Sequence, residues 1–179
     1  SEGYGKSDQI FPRKPILNSQ LDCIASEIAQ SSTEYVFGIP GGGVSLELID
    51  KLSSQGIRFL TTHSEASAAI IAGTIGHLSG TAGISMSIKG PGLTNMLPGI
   101  AVCFFEQFPL VALSESYSPD SSLISMHKRL NHQNLVSEIS KKSAFLSPNS
   151  CSYKKLSTLA EEEVPGPVLL NLVEGNNVG

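Results

Sequence analysis

Residues 61–72 read THSEASAAIIAG. Thr62, His63 and Ser64 lead into one carboxylate, Glu65, and the run behind it is built from Ala, Ser and Ile without a second charge. An acid in the first turn of a helix is ordinarily explained by the helix dipole. In so apolar a neighbourhood the same carboxylate could also bind a heterocyclic N–H or share a proton with a ring nitrogen. Two glycine-rich turns bracket this segment in sequence, PGGG at 40–43 and KGPG at 89–92. PGGG lacks the Gly-Lys-Ser/Thr ending of a P-loop and the spacing of a dinucleotide fingerprint. It reads either as a tight turn needing positive φ at one or two residues or as a place for close backbone approach to a ligand. Lys89 is either an exposed turn residue or a cation pointing into a site. His63, His77, His127 and His132 show no metal-like spacing, and His77 is expected on the surface near a helix C-terminus. His132 and Gln133 lie in a long polar stretch of the kind that often carries function. No GxSxG elbow occurs, so acyl-transfer chemistry is not supported.

The elements that must position these residues follow from periodicity. LDCIASEIAQ places Leu21, Ile24, Ala25 and Ile28 at helical spacing, with Ser19 as the expected cap. YVFGI is a short buried strand ended by PGGG. VSLELIDKLSSQG is a helix closed by Gly56, IRFLTTH a strand, and SEASAAIIAGTIGHLSG a helix closed by Gly80. TAGISMSI is a strand, KGPG a tight turn, and LTNMLPGIAVCFFEQ a helix in which Pro98 must lie in the first turn or bend the axis. FPLVALSES is a strand buried on both faces. SYSPDSSLISMHKRLNHQ reads as loop, NLVSEISKKSAFLS as a helix and short strand, CSYKKLSTLAEEEV as a helix, and GPVLLNLV as the last strand. This alternation predicts an α/β fold: a doubly wound, mainly parallel sheet of about six strands with helices on both faces. PGGG, HSE and KGPG then all fall at C-terminal ends of strands, where such sheets bind ligands.

Composition narrows the partners. The 179 residues suit one domain, with residues 1–15 read as a flexible N-terminal tail and 16–179 as the domain. Hydrophobic residues make up 40% and charged residues 16%, and the net charge is −4 with no basic block. A nucleic-acid partner is therefore not expected. No apolar stretch is long enough to span a membrane. Cys23, Cys103 and Cys151 are odd in number and without ligand spacing, which reads as reduced thiols of a cytoplasmic protein.

Taken together, these segments resemble the pyrimidine-binding (Pyr) domain of thiamine-diphosphate-dependent enzymes, in the superfamily of acetolactate synthases and 2-oxo acid decarboxylases, including sulfopyruvate-type decarboxylases. FGIPGG resembles the family's F-G-V-P-G turn. Glu65 and the alanines after it resemble the segment that carries the family's catalytic glutamate. GPGLTNMLPGIA resembles the G-P-G-A-T-N-x-x-x-G-I-A block, FPLVAL the P-L-V-A-I strand, and GPVLLNL the G-P-V-x-x-D-x-P strand. The resemblance covers nearly everything from residue 16 onward. It implies that Glu65 hydrogen-bonds N1′ of the cofactor's aminopyrimidine, favouring the tautomer whose N4′ takes the proton from thiazolium C2. It also implies that Pro40, Gly41, Gly42, Gly90, Pro91, Gly92 and Asn95 line the cofactor, with His132 and Gln133 on the substrate side. The substrate class it implies is a small 2-oxo acid.

The chain also departs from the pattern. Ser64 stands where the family usually has His, Lys89 replaces a small residue, and His132 takes a Phe place. NLVEGNNV ends where the family would have a D-x-P, so the exit from the last strand differs as well. The G-D-G…N-N motif that holds Mg2+ and the diphosphate is missing, so no metal ligand is expected in this chain. The resemblance therefore implies a separate diphosphate-binding domain or subunit, and a dimer of Pyr domains within the assembly. The other reading is a catalytically degenerate Pyr-like domain that serves dimerisation or regulation.

Overall fold

The computed structural model describes residues 15–117, 127–146 and 153–173. Of the expected tail, only Pro15 falls within them. Elements alternate from the start: α1 (Pro15–Ala29), β1 (Tyr35–Gly38), α2 (Val44–Ser54), β2 (Arg58–Thr61), α3 (Glu65–Ser79) and β3 (Gly83–Ser87). They continue as α4 (Pro91–Phe105), β4 (Leu110–Ser116), α5 (His132–Val136), β5 (Lys142–Phe145), α6 (Tyr153–Glu161) and β6 (Pro167–Val173). The six strands form one sheet in the order β2-β1-β3-β4-β6-β5, every neighbouring pair parallel. This is the expected α/β architecture.

Parallel strands joined by helices must be covered on both faces, and the buried side chains divide accordingly. One layer packs Val36, Ile84, Met86, Val111, Leu113, Leu170 and Leu172 against α1, α2 and α6. The other packs Phe37, Leu110, Ala112 and Leu169 against α3, α4 and α5. The chain leaves β1 toward β2 and leaves β3 toward β4, so the direction of winding reverses between β1 and β3. At such a reversal the connecting loops part and leave a crevice beyond the C-terminal strand ends.

Local expectations are corrected in four places. Helix α1 begins at Pro15, so Ser19 lies inside it and is not its cap. Proline suits a first helical position, where its missing N–H has no intrahelical partner to lose. Second, α4 begins inside the KGPG motif: Gly90 is the N-cap at φ 65, and Pro91 and Gly92 form the first turn. Third, of the two places expected for Pro98 the first turn is excluded, since it lies in the middle of α4. Fourth, His132 and Gln133 open α5 instead of belonging to the preceding loop, because the Asn131 side chain caps that helix by accepting from Asn134 N–H at 3.0 Å.

Candidate functional site

Glu65 is the first residue of α3, and the sequence sets it there through Ser64. The Ser64 hydroxyl accepts a hydrogen bond from Ser67 N–H at 3.1 Å, the usual work of an N-cap. A second tie holds the turn before it: Thr62 N–H donates to the carbonyl of Gly38, at the end of β1, at 3.0 Å. The Glu65 side chain is only 6% exposed, yet no hydrogen bond or ion pair of its carboxylate is found among the described residues. Its carboxylate oxygens are not themselves fully buried, so they stay within reach of solvent or a ligand. The helix N-terminus around it favours an anion or a proton-sharing contact.

The three glycine- and carboxylate-bearing turns stand side by side. In the sheet order β2-β1-β3, HSE follows β2, PGGG follows β1 and KGPG follows β3. PGGG and KGPG thus stand together at the winding reversal, meeting through Ile88, and Glu65 is one strand away. Gly41 lies against Ile88, whose side chain fills the place a Cβ would need. Gly42 faces open space, and Pro40 is exposed. The positive φ anticipated in PGGG falls on Gly43, the N-cap of α2 at φ 65. Gly92 brings the first turn of α4 down onto the end of β3: a Cβ there would stand 2.7 Å from Ile88 Cγ1. Pro91 and Asn95 are exposed on the outer side of the same helix.

The structure adds a carboxylate that the sequence reading passed over. Glu115, near the end of β4, is 3% exposed and accepts a hydrogen bond from Ser45 N–H at 2.9 Å. Gly43 has no side chain with which to cap α2, so Glu115 does it from across the sheet. The N-terminus of α2 therefore already holds an anion of the protein's own. One charge in the otherwise uncharged FPLVALSES strand was the available signal.

His132 and Gln133 are separated by the fold. His132 is 3% exposed, with both ring nitrogens engaged: Gly90 N–H donates to Nε2 at 3.3 Å, and Nδ1–H donates to Asn171 Oδ1 at 2.9 Å. Burial holds its pKa below the ordinary 6.5, opposed in part by the bond to Asn171. Asn171, the single polar residue in β6, was also missed; its amide NH2 donates to Ala144 O at 3.0 Å and Ser143 Oγ at 3.2 Å. Gln133 is exposed and lines a shallow depression with Ser137, Lys141 and Lys142, away from Glu65 along the sheet edge. Lys89 is half-buried with its ammonium 4.8 Å from the centre of the Tyr117 ring. His63, His77 and His127 are exposed. Among the described residues no three His, Cys, Asp or Glu side chains come together as a metal centre. No helix is long and apolar enough to cross a membrane, again among the described residues.

Comparison with known proteins points the same way. Residues 20–139, 120 of the 179, match the family described as thiamine pyrophosphate enzyme, N-terminal TPP binding domain. Similar proteins include the catabolic acetolactate synthase of Raoultella terrigena, 27% identical over 84% of this chain and 27% of that protein. The acetolactate synthase large subunit of Buchnera aphidicola is 28% identical over 86% of this chain and 28% of its own length. The 2-hydroxyacyl-CoA lyase 1 of Dictyostelium discoideum is 33% identical over 58% of this chain and 17% of its own length. The chain thus spans less than a third of the length of these relatives. The matched region contains Glu65, both glycine turns and α5, and on that ground the chain belongs to the family of N-terminal, thiamine-pyrophosphate-binding domains of thiamine pyrophosphate enzymes.

Proposed function

We propose that this chain is the pyrimidine-binding half of a thiamine-diphosphate-dependent enzyme, a decarboxylase or carboligase acting on a small 2-oxo acid. The observation that carries the reading is Glu65: a residue only 6% exposed at a helix N-terminus, at the C-terminal ends of a parallel sheet's strands, its carboxylate without a protein partner among the described residues. An aminopyrimidine ring nitrogen is a partner of the right chemistry. Thiamine diphosphate, when bound, supplies the electron sink for breaking the bond beside the substrate's carbonyl. Glu65 holds a proton at its carboxylate and shares it with the ring nitrogen facing it. Gly41, Gly42, Gly90 and Gly92 keep the two flanking turns low, Pro40 and Pro91 stiffen them, and Asn95 offers a side-chain amide above. His132 acts on the substrate side through the turn it supports, whereas Gln133, exposed at the sheet edge, takes no part in the site.

The diphosphate and Mg2+ are held by a separate domain or subunit, and two Pyr domains occur in the assembly. The helices α3 and α4 support this. Glu65 and His77 are the only acidic or basic side chains of α3, and α4 has none. Both helices are apolar on their outer sides as well, where Ile71, Ile75, Leu78, Val102 and Phe105 are exposed, Leu78 by 78% and Phe105 by 73%. A helix apolar all round is normally covered on all sides. Covering it here would also keep water from Glu65.

The test is calorimetric titration of thiamine diphosphate with Mg2+ into the chain, alone and with a diphosphate-domain partner, for the wild type and Glu65→Gln. Tight binding only with the partner, with turnover abolished by Glu65→Gln, supports the proposal. Turnover that survives Glu65→Gln removes Glu65 from the chemistry. Failure of every partner to confer binding favours the degenerate domain that serves dimerisation or regulation.

A further inference from the structure

Between the KGPG turn and the far edge of the sheet runs a chain of hydrogen bonds whose direction is determined at every link. The NH2 group of Asn171 donates to Ala144 O and Ser143 Oγ on β5, which turns Oδ1 toward His132. His132 Nδ1 must then carry the proton, leaving Nε2 as a bare lone pair, and that lone pair receives Gly90 N–H. Gly90 is the pivot of the turn. It is buried, it is the N-cap of α4 at φ 65, and a Cβ would run into the Lys128 carbonyl. Its amide has no place in the helix ladder, so the imidazole is what satisfies it.

We propose that His132 is a positioning residue: in its neutral, Nδ1-protonated form, set by Asn171, it holds the Gly90 peptide and with it the cofactor-facing start of α4. The functional part of this statement rests on the reading given under Proposed function; the coupling of His132 to Gly90 does not. Adding a proton to Nε2 would set two N–H groups against each other and leave a buried amide unpaired, which is a large penalty for a single turn. His132 is therefore the group through which acid loosens that turn.

The sign follows from burial. The ring's pKa lies below the ordinary 6.5, so between the two values the unfolded chain binds more protons than the folded one. The contribution is fully present above 6.5 and is lost as the pH falls through the folded value. Other charged or titratable groups on the surrounding elements are Lys89 before α4, Glu65 on α3, and His127, Lys128 and Arg129 leading into α5. Glu138 follows α5, Lys142 lies on β5, and Glu115 on β4 is bonded to Ser45 on the opposite face of the sheet. Helix α4 and strand β6 carry no charged residue. The ring's two hydrogen bonds are to neutral groups, so no ion pair holds it charged.

The experiment is NMR on the intact chain without cofactor. Imidazole nitrogen shifts of His132 give the tautomer, and amide exchange gives the protection of Gly90 across the pH range. The expected result is a bare Nε2 and a protonated Nδ1. Protection of Gly90 should fall roughly tenfold or more, relative to later amides of α4, as His132 gains its proton. In His132→Gln, whose side-chain oxygen replaces the acceptor without titrating, protection should stay high and flat. Asn171→Asp should move the transition to higher pH, because a buried carboxylate beside Nδ1–H stabilises the imidazolium. The opposite tautomer, or a titrating His132 that leaves Gly90 unmoved, overturns the proposal, and the wild type alone suffices to see either. Thiamine diphosphate binding in His132→Leu separates the two readings. If the wild type binds no cofactor under any arrangement, the functional reading fails while the exchange result stands. If the wild type binds and His132→Leu matches it in both affinity and Gly90 protection, the positioning role fails.

Discussion

Gly99 of α4 packs directly on the carbonyl oxygen of Ala66, the residue after Glu65, and a Cβ at Gly99 would also stand 2.7 Å from Ala69 Cβ. The start of α3 is thereby pinned to the middle of α4, with backbone on one side of the contact. Gly99→Ala must push α3 away, because a peptide carbonyl has no rotamer with which to escape. We expect a stability loss of about 1–3 kcal/mol and weaker cofactor binding through displaced Glu65. Urea unfolding and calorimetry check both; a variant as stable and as competent as the wild type would refute the contact.

Glu65 should behave unlike a structural residue. The residue is 6% exposed and its carboxylate has no hydrogen-bond partner among the described residues, so replacing it costs the free chain little. Glu65→Gln is expected to leave stability unchanged or raise it by about 0.5–2 kcal/mol while turnover of the assembled enzyme is lost. Denaturant midpoints of the cofactor-free chain are the measurement. A clear loss of stability would mean that the carboxylate has a structural partner and is not held open for a ligand.

Glu115 should show the reverse pattern. Its bond to Ser45 N–H caps α2 from across the sheet, so Glu115→Ala leaves a buried amide without an acceptor. A loss of about 1–3 kcal/mol is expected, with faster hydrogen exchange at Ser45 and at the next amides of α2. Unaltered exchange there would show that the cap contributes nothing.

Cys103 sits between α3 and α4, where its thiol donates to Ala69 O at 3.4 Å and burial pushes its pKa up to about 12. Only the thiolate reacts, so at about pH 8 the native protein should be labelled at the half-buried Cys23 and not at Cys103. Peptide mass mapping after timed exposure to a thiol reagent follows each site; Cys103 should react only at the rate of global unfolding. Cys151 lies outside the described residues. Equal labelling of Cys23 and Cys103 in the native state would contradict the packing of α3 on α4.

Much of this protein could be read from local pattern. Strand and helix types emerged from periodicity because each element must present an apolar face to one sheet, and that requirement is local. Ser64 and Glu65 could be placed at the head of α3 for the same reason: a cap and a first-turn acid act within a few residues. Boundaries were misplaced where a side chain's role was ambiguous by type alone. Ser19 resembles a cap but lies within α1, and Pro91 resembles a turn residue but starts α4.

What depended on tertiary structure was everything that crosses the sheet. Strand order put the winding reversal between β1 and β3 and so set PGGG, KGPG and Glu65 on neighbouring strands; alternation alone places them at the same end of the sheet but is compatible with several orders. Glu115 reaches Ser45 across 70 positions, His132 reaches Gly90 across 42 and Asn171 across 39. Each partner is an ordinary polar residue in its own segment, and none carries a local signature of its mate. The sequence by itself determined the fold class and the position of Glu65 at the head of α3, because those follow from short-range periodicity and capping. The pairing of buried polar groups was decided only when the chain closed, since a buried donor takes whichever acceptor the packing brings within reach.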